Sequence, residues 1–501
     1  MVGIYRESSL ARHVQSDDAP QHDDNQFKWT SVPVSEILDK EFRLEASVYG
    51  IEGREARQIL AESRWPLKTI CGLDGVAEAY HRPRFKRVFV ERSELPIFQP
   101  AQITDLDPKP AAYISPETPA DIEKLRVRKG QVLVTCSGTV GNATLVSRTL
   151  DGQVFSHDLL RVKGHDAEDA GYLYAFFRTA TGYALLNTDR YGGVVDHIEP
   201  SHLEKLPIPD PPQLLKKQIH DLVSESFALR DESNFALREV RAELASELKL
   251  PPIEQLRPEM FAENTMQNYN VPLADLERRL DASFHVPIVD SIETHLKKHA
   301  RKLTNIGDPD ISSDIVLPGR FKRVYVEEGQ GVPFFGGKQI GELDPTGKKY
   351  LSLKHHGERI KKELTLDQNT VLITCSGTIG KVGIVPRHWV NWTMNQHVLR
   401  VVPASESIAG YLYVWLSSEH AYPLIKRFTY GAVVDEITDD HVSNVSVPLI
   451  EKTQIERINT KALEALEKRH AAYLKEQEAI RVMNEEIIFA KGNALSLAED
   501  V

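Results

Sequence analysis

Residues 134–142 read VTCSGTVGN, and residues 373–381 read ITCSGTIGK, 239 positions later. A self-match of this kind sets the period of the chain before any local reading is made. Working outward, RFKRV at 84–88 recurs at 320–324, and LPIF at 95–98 recurs as VPFF at 332–335. GYLYAFF at 171–177 recurs as GYLYVWL at 410–416, and YGGVVDHI at 191–198 as YGAVVDEI at 430–437. The offset stays between 236 and 239 throughout, so only a few residues were gained or lost between the copies. The chain is a tandem duplication.

Each copy opens on a shared landmark, LEAS at 44–47 and LDAS at 280–283. Helical stretches follow at 53–64 and 287–303, and then both copies change to strand character. RVFVE at 87–91 and RVYVE at 323–327 alternate apolar and polar residues in period two. QVLVTC at 131–136 and NTVLITC at 369–375 are apolar and β-branched, as a buried strand requires. The Ser-Gly-Thr-x-Gly that follows turns sharply, because its glycines supply backbone angles other residues resist. A return strand at 143–147 or 382–386 completes a hairpin. Segments 170–187 and 409–426 read as helices with an aromatic face, and LPIP at 206–209 and VSVP at 445–448 end the copies.

Pro211 and Pro212 start a helix that Pro251 and Pro252 stop, on the order of 54 Å long at about 1.5 Å per residue. Ile219, Leu222, Leu229, Leu237, Val240 and Leu244 give it an approximate 3-4 apolar stripe. A second helix of similar length, from about 451 to 490, carries Ile455, Ile458, Ala462, Leu466, Ile480, Met483 and Ile487. Two such helices, one after each copy, pack most simply as an antiparallel coiled coil relating the copies by a pseudo-two-fold axis. The predicted organisation is an acidic disordered tail at 1–26 and a first domain at 27–210. A long spacer helix at 211–250 and a linker at 251–267 come next. A second domain at 268–448, a second spacer helix at 449–490 and a tail at 491–501 complete the chain.

Hydrophobic content of 41% and charged content of 27% describe a globular chain. No run of about 18 apolar residues spans a membrane, and the N-terminus lacks a secretory pattern, so a cytoplasmic location is expected. Three cysteines without a CxxC fit a reducing compartment; Cys136 and Cys375 share a repeat position and read as small buried hydrophobes. The net charge of −11 is segregated, since residues 345–400 carry nine Lys/Arg against three Asp/Glu, and residues 79–148 eleven against seven.

Catalytic patterns fail on inspection. DPPQ at 210–213 lacks the aromatic residue of an amino-methyltransferase box. His295 and His299 stand four apart but without the glutamate of a zinc helix, and no phosphate-binding loop has its full spacing. Neither a catalytic nor a metal site is expected. Arg84, Lys86 and Arg87, beside Phe85, match Arg320, Lys322 and Arg323, beside Phe321; recurrence in both copies puts phosphate anchoring level with plain solvated charge. The turn residues Ser137, Thr139 and Asn142, with Ser376, Thr378 and Lys381, form a tight hairpin whose amides and hydroxyls suit phosphate as well.

This doubled order resembles the specificity subunit of type I restriction–modification enzymes. The resemblance runs from residue 27 to 490 and rests on the doubled turn, the LEAS and LDAS landmarks, and the Pro-ended copies with their helices. It implies an α+β chain of two tandem target-recognition domains, mixed α/β with curved sheets, separated by the antiparallel helix pair. It implies a non-catalytic subunit that reads double-stranded DNA, one half-site per domain, with the helices setting the unread gap. Two adenine-methyltransferase subunits carrying S-adenosylmethionine would dock on it, and a motor/nuclease subunit can join; the chain itself would bind no cofactor. Base-reading side chains are then sought where the copies diverge: Gln99 and Gln102 facing Lys338 and Gln339, and the segment 109–119 facing 347–357 with Lys348 and Lys349. Two other readings stay open, a cryptic methyltransferase or nuclease and a duplicated scaffold binding protein or an anionic glycan. Activity of the chain alone would mark the first, and salt-insensitive behaviour toward DNA the second.

Overall fold

A computed structural model describes residues 2–5, 29–39, 42–188, 190–191, 195–260 and 268–491. The described chain divides into two units, one running up to Asp231 and resuming at Ala471, the other Glu232–His470.

In the first unit one four-stranded sheet has the order Val154–Phe155, Pro96–Phe98, Ala112–Ile114, Phe89–Val90. A second has the order Ala77–Tyr80, Leu159–Gly164, Val132–Thr135, Ala143–Leu145, and Pro207–Pro209 pairs antiparallel with Leu67–Thr69. The second unit repeats this topology. Its sheets run Thr393–Met394, Val332–Phe335, Lys349–Leu351, Tyr325–Val326, and Ser312–Val316, Val398–Pro403, Val371–Thr374, Val382–Ile384. Ser446–Leu449 closes it against Lys302–Asn305.

The continuous apolar run of the central strand has a direct cause. Side chains alternate across a strand, and here both faces are covered. Val132 and Val134 enter the main core of their unit while Leu133 enters a smaller cluster with Phe98 and Phe155. Val371 and Ile373 likewise face the main core, and Leu372 the cluster with Trp389 and Met394. Behind the sheet lies a helix that is apolar between its ends, Asp169–Arg178 or Glu406–Leu416. Tyr172 Oη donates to the carbonyl of Pro209 at 2.7 Å, and Tyr411 Oη to that of Pro448 at 2.5 Å, tying this helix to the last strand of each unit.

The long helices occupy Gln213–Glu247 and Lys452–Val482, the second prolonged by a π-helical turn at Met483–Ile488. They run antiparallel within each unit. Glu225 pairs with Lys475 at 2.6 Å in the first; in the second Glu232 pairs with Lys468 at 2.6 Å and Glu243 with Lys461 at 2.7 Å. Their apolar stripes do more than meet each other. Ile219, Val223 and Phe227 join Ala479, Val482, Met483 and Ile487 in the first core; Leu237, Val240, Leu244 and Leu248 join Ile458, Ala462 and Leu466 in the second. The core of each unit is therefore completed by the end of the helix that follows the other copy, whereas the sequence reading leaves these helices outside the domains as spacers.

Several expectations are revised. The helices expected at 170–187 and 409–426 each break in two, at Thr179 and after Leu416. Thr179 Oγ1 caps the new helix by accepting the amide of Gly182 at 3.0 Å. The helix expected at 287–303 ends at His299, and Lys302–Asn305 is a strand. The N-terminal tail begins with a strand, Val2–Tyr5, paired with Trp29–Val32, and residues 6–28 lie outside the described residues, as do 192–194, 261–267 and 492–501. The segments compared as divergent loops contain a shared strand, Ala112–Ile114 and Lys349–Leu351. Beyond it the second copy has two more residues before the next shared core position, Leu125 or Leu364, and takes them up in the helix Leu353–Arg359 and a π-helical turn.

Candidate nucleic-acid interface

The Ser-Gly-Thr turn is built the same way twice. Gly138 and Gly377 both have φ of +74°, which only a residue without Cβ adopts freely. The threonine ending the preceding strand braces the loop: Thr135 Oγ1 accepts the amide of Asn142 at 3.0 Å, and Thr374 Oγ1 that of Lys381 at 2.9 Å. The tip is sewn to the segment that follows Tyr191 or Tyr430. Gly138 donates to Asp196 O at 3.0 Å and Gly377 to Asp435 O at 2.9 Å; Ile198 and Ile437 donate back to Cys136 and Cys375 at 3.0 Å. The Gly138 and Gly377 amides are therefore committed, as is the Thr139 carbonyl, which accepts from Thr135 Oγ1 at 2.5 Å; the exposed residues of the turn after these glycines are Thr139 and Thr378, flanked by half-buried Ser137 and Ser376.

The basic clusters reach the same face. Arg84 and Lys86 are exposed, as are Arg320 and Lys322. Arg320 pairs with Glu436 at 3.3 Å, in the segment that holds the turn of its own unit. The third cation turns inward: Arg87 lies 5.8 Å from the Phe85 ring centre and Arg323 5.8 Å from that of Phe321. Arg87 Nη2 is 3.5 Å from His157 Nδ1, and Arg323 Nη2 donates to Gln396 Oε1 at 2.6 Å. Burial pushes the His157 imidazole below its usual value despite Asp158 Oδ1, 3.2 Å from its Nε2. The structure thus gathers the turn, the basic cluster and the Tyr191 or Tyr430 segment of each unit around one surface.

The divergent-loop residues separate into two kinds. Gln102 Oε1 accepts the amide of Gln99 at 2.9 Å and its Nε2 donates to Lys109 O; Gln339 Oε1 accepts the amide of Gly336 at 3.0 Å and its Nε2 donates to Thr346 O at 2.9 Å. Both amides are spent on the fold of their loops. Lys348 pairs with Asp344 and lies 4.9 Å from the Trp392 ring centre. Lys338 is exposed, Lys381 Nζ reaches Lys338 O at 3.2 Å, and Lys349 stands over Tyr325 at 4.8 Å. Exposed Lys338 and Lys349, with the half-buried Gln99 side chain, are the members of this set best placed to meet a ligand.

Some polar residues that sequence reading passes over are structural. Arg161 and Arg400, 239 apart, are buried and donate to main-chain carbonyls, Lys124 O at 3.0 Å and Leu125 O at 2.6 Å in one, Glu363 O at 2.7 Å and Met394 O at 2.9 Å in the other. Burial pushes both guanidinium groups down to about 10, so they stay charged at neutral pH. The repeat offset would have found them; charge alone suggests surface. Arg43 and Arg279 tie the opening landmarks to the same face, donating to Arg190 O at 2.7 Å and Thr429 O at 3.5 Å. Cys71, Cys136 and Cys375 are buried, in keeping with their reading as small hydrophobes. Among the described residues no cluster of three or more His, Cys, Asp or Glu is placed to hold a metal, and no helix is long and apolar enough to cross a membrane.

Residues 322–481 match the family model for the type I restriction modification DNA specificity domain. Solved structures that resemble the chain include the S subunit of a type I restriction–modification system from M. genitalium. It is 14% identical, with 85% of this chain and 96% of that one covered and a TM-score of 0.29. The HsdS subunit from Thermoanaerobacter tengcongensis is 14% identical, with 84% and 98% covered and a TM-score of 0.26. No curated protein matches the chain. The matched domain lies mostly in the second unit, and the same strand orders, turn and basic cluster are repeated in the first.

Proposed function

We propose that this chain is the sequence-specific, non-catalytic DNA-binding subunit of a type I restriction–modification complex, reading a bipartite target with one half-site per unit. The observation that carries the reading is the family match at 322–481 together with the same surface recurring in the first unit. Exposed Arg84, Lys86, Arg320 and Lys322 supply phosphate contacts, which position the protein without reading sequence. The net charge of −11 does not oppose this, because the cations are gathered on the segments that form the site. Side chains that differ between the copies at matching positions supply base discrimination. Family members work with methyltransferase and nuclease subunits; here two adenine-methyltransferase subunits would bring S-adenosylmethionine, and the chain would hold no cofactor of its own. The complex would act in the cytoplasm, where the chromosome is.

The test is a map of adenine methylation across a genome in cells with and without this gene, alongside its methyltransferase. Loss on deletion of a two-part motif with a fixed gap is the expected result, and exchange of residues 84–209 should alter one half only. An unchanged methylome in cells shown to express both chains would overturn the assignment.

A further inference from the structure

We propose that His157 and Gln396 are positioning residues, each fixing how the repeated arginine of its unit, Arg87 or Arg323, is presented to a half-site. The inference rests on the DNA-reading assignment above. The two positions are equivalent, 239 apart, and the frame around them is shared: the arginine, the phenylalanine two residues before it, and the strand that ends in the Ser-Gly-Thr turn. The arginine's hydrogen-bonding partner changes, together with that partner's own neighbour and one ring beside the arginine, and with them the hold on the guanidinium.

In the second unit that hold is tight. Gln396 is buried, its Oε1 accepts from Arg323 at 2.6 Å, and its Nε2 lies 3.1 Å from His397 Nε2. Arg323 also stands 5.4 Å from Phe334, giving it a second aromatic neighbour besides Phe321. In the first unit the contact to His157 is 3.5 Å, His157 leans on Asp158, and the place of Phe334 is taken by Ile97. A guanidinium presents five donors in a rigid plane, so turning that plane changes which pair of acceptors it meets side by side. The same arginine, held by an amide in one unit and an imidazole in the other, faces its half-site differently. That gives two half-site preferences from one scaffold. His157 and Gln396 need not touch DNA to do this.

The experiment uses the full chain assembled with its methyltransferase subunits, and reads methylation of a duplex library randomised over both half-sites. His157→Leu and Gln396→Leu remove the partner; His157→Gln and Gln396→His carry the partner from the other copy, which the shared frame already accommodates. Each leucine variant should lose about tenfold of its base discrimination at one or two adjacent positions of one half-site only. The exchange variants should restore a strong preference there. Two results overturn the inference: leucine variants that keep wild-type preferences in both half-sites, or a uniform loss across both halves that the exchange variants share. A wild-type complex that methylates no bipartite motif would fell the DNA-reading assignment, and this inference with it.

Discussion

Gly410 donates its amide to Asn459 Oδ1 at 2.8 Å, and a Cβ placed on that glycine would stand 2.6 Å from the carbonyl oxygen of the same asparagine. The first unit repeats the arrangement with a different partner, since a Cβ on Gly171 would lie 2.6 Å from His220 Cα. Both glycines let the aromatic helix of the unit lie directly against a long helix, and the obstacle is backbone, which cannot swing aside. Gly171→Ala and Gly410→Ala should each destabilise by about 1–3 kcal/mol, the usual cost of overpacking. Gly357, in the exposed helix Leu353–Arg359, has nothing within 4 Å of where a Cβ would stand, so Gly357→Ala should stabilise by roughly 0.5–1 kcal/mol. Thermal denaturation of the three variants reads the contrast.

Lys216 is buried, 2.6 Å from Asp210 and 3.7 Å from Asp169, while the matching positions of the second unit are Ile455, Leu449 and Ile408. The fold has thus solved one packing problem with ions and with hydrocarbon. Removing a single partner strands a buried charge, so Lys216→Met should cost about 3–5 kcal/mol, whereas Asp169→Ile with Asp210→Leu and Lys216→Ile together should be neutral or stabilising. Burial opposes the charge of Asp210, but the ammonium groups of Lys216 and Lys68 hold its carboxyl below the usual range. A depressed carboxyl contributes stability that is complete above about pH 4 and lost as the pH falls through its folded value. Acid unfolding curves should show that loss in the wild type and lack it in the triple variant.

The repeat made the fold legible: every strand described in the second unit has its counterpart in the first, and strands with identical motifs were readable at once. What the sequence hid was conformation without identity. Gly130 and Gly152 have φ of +87° and +77°, and their counterparts Asn369 and Asn391 have +65° and +67°. Glycine and asparagine share no side chain, yet asparagine is among the residues that best tolerate this region. The helix exchange was also hidden, because an apolar stripe reports that a face is buried and not which element covers it. At the candidate site the basic clusters and the turn were legible from recurrence. The bracing role of Gln102 and Gln339 was not, since a glutamine that reads a base and one that closes its own loop have the same spelling.

The three cysteines give a direct test of core integrity. Burial pushes the thiols of Cys71, Cys136 and Cys375 up to about 12, so at pH 8 almost none is present as the reactive thiolate, and the sulfurs are covered as well. A thiol reagent at pH 8 should modify none of them in the native chain and all three in denaturant. Rapid native labelling of Cys136 or Cys375 would show that the strand before the turn is open to solvent, which would undo the geometry described for both sites.

Lys86 and Lys322 are exposed members of the two basic clusters, and no hydrogen bond or ion pair among the described residues engages either ammonium. If they meet phosphate, each binding event releases counterions, and the logarithm of affinity falls with the logarithm of salt in proportion to the contacts made. Lys86→Ala and Lys322→Ala should each lower the magnitude of that slope by about 1 and weaken binding to all sequences alike. Because the clusters sit at matching places, the double variant should lower it by about 2, the sum expected of independent contacts. Titration of the assembled complex with duplex DNA at several salt concentrations reads all three values. Unchanged slopes would take these lysines out of the interface, while a loss of discrimination without a change in slope would move them from the backbone to the bases.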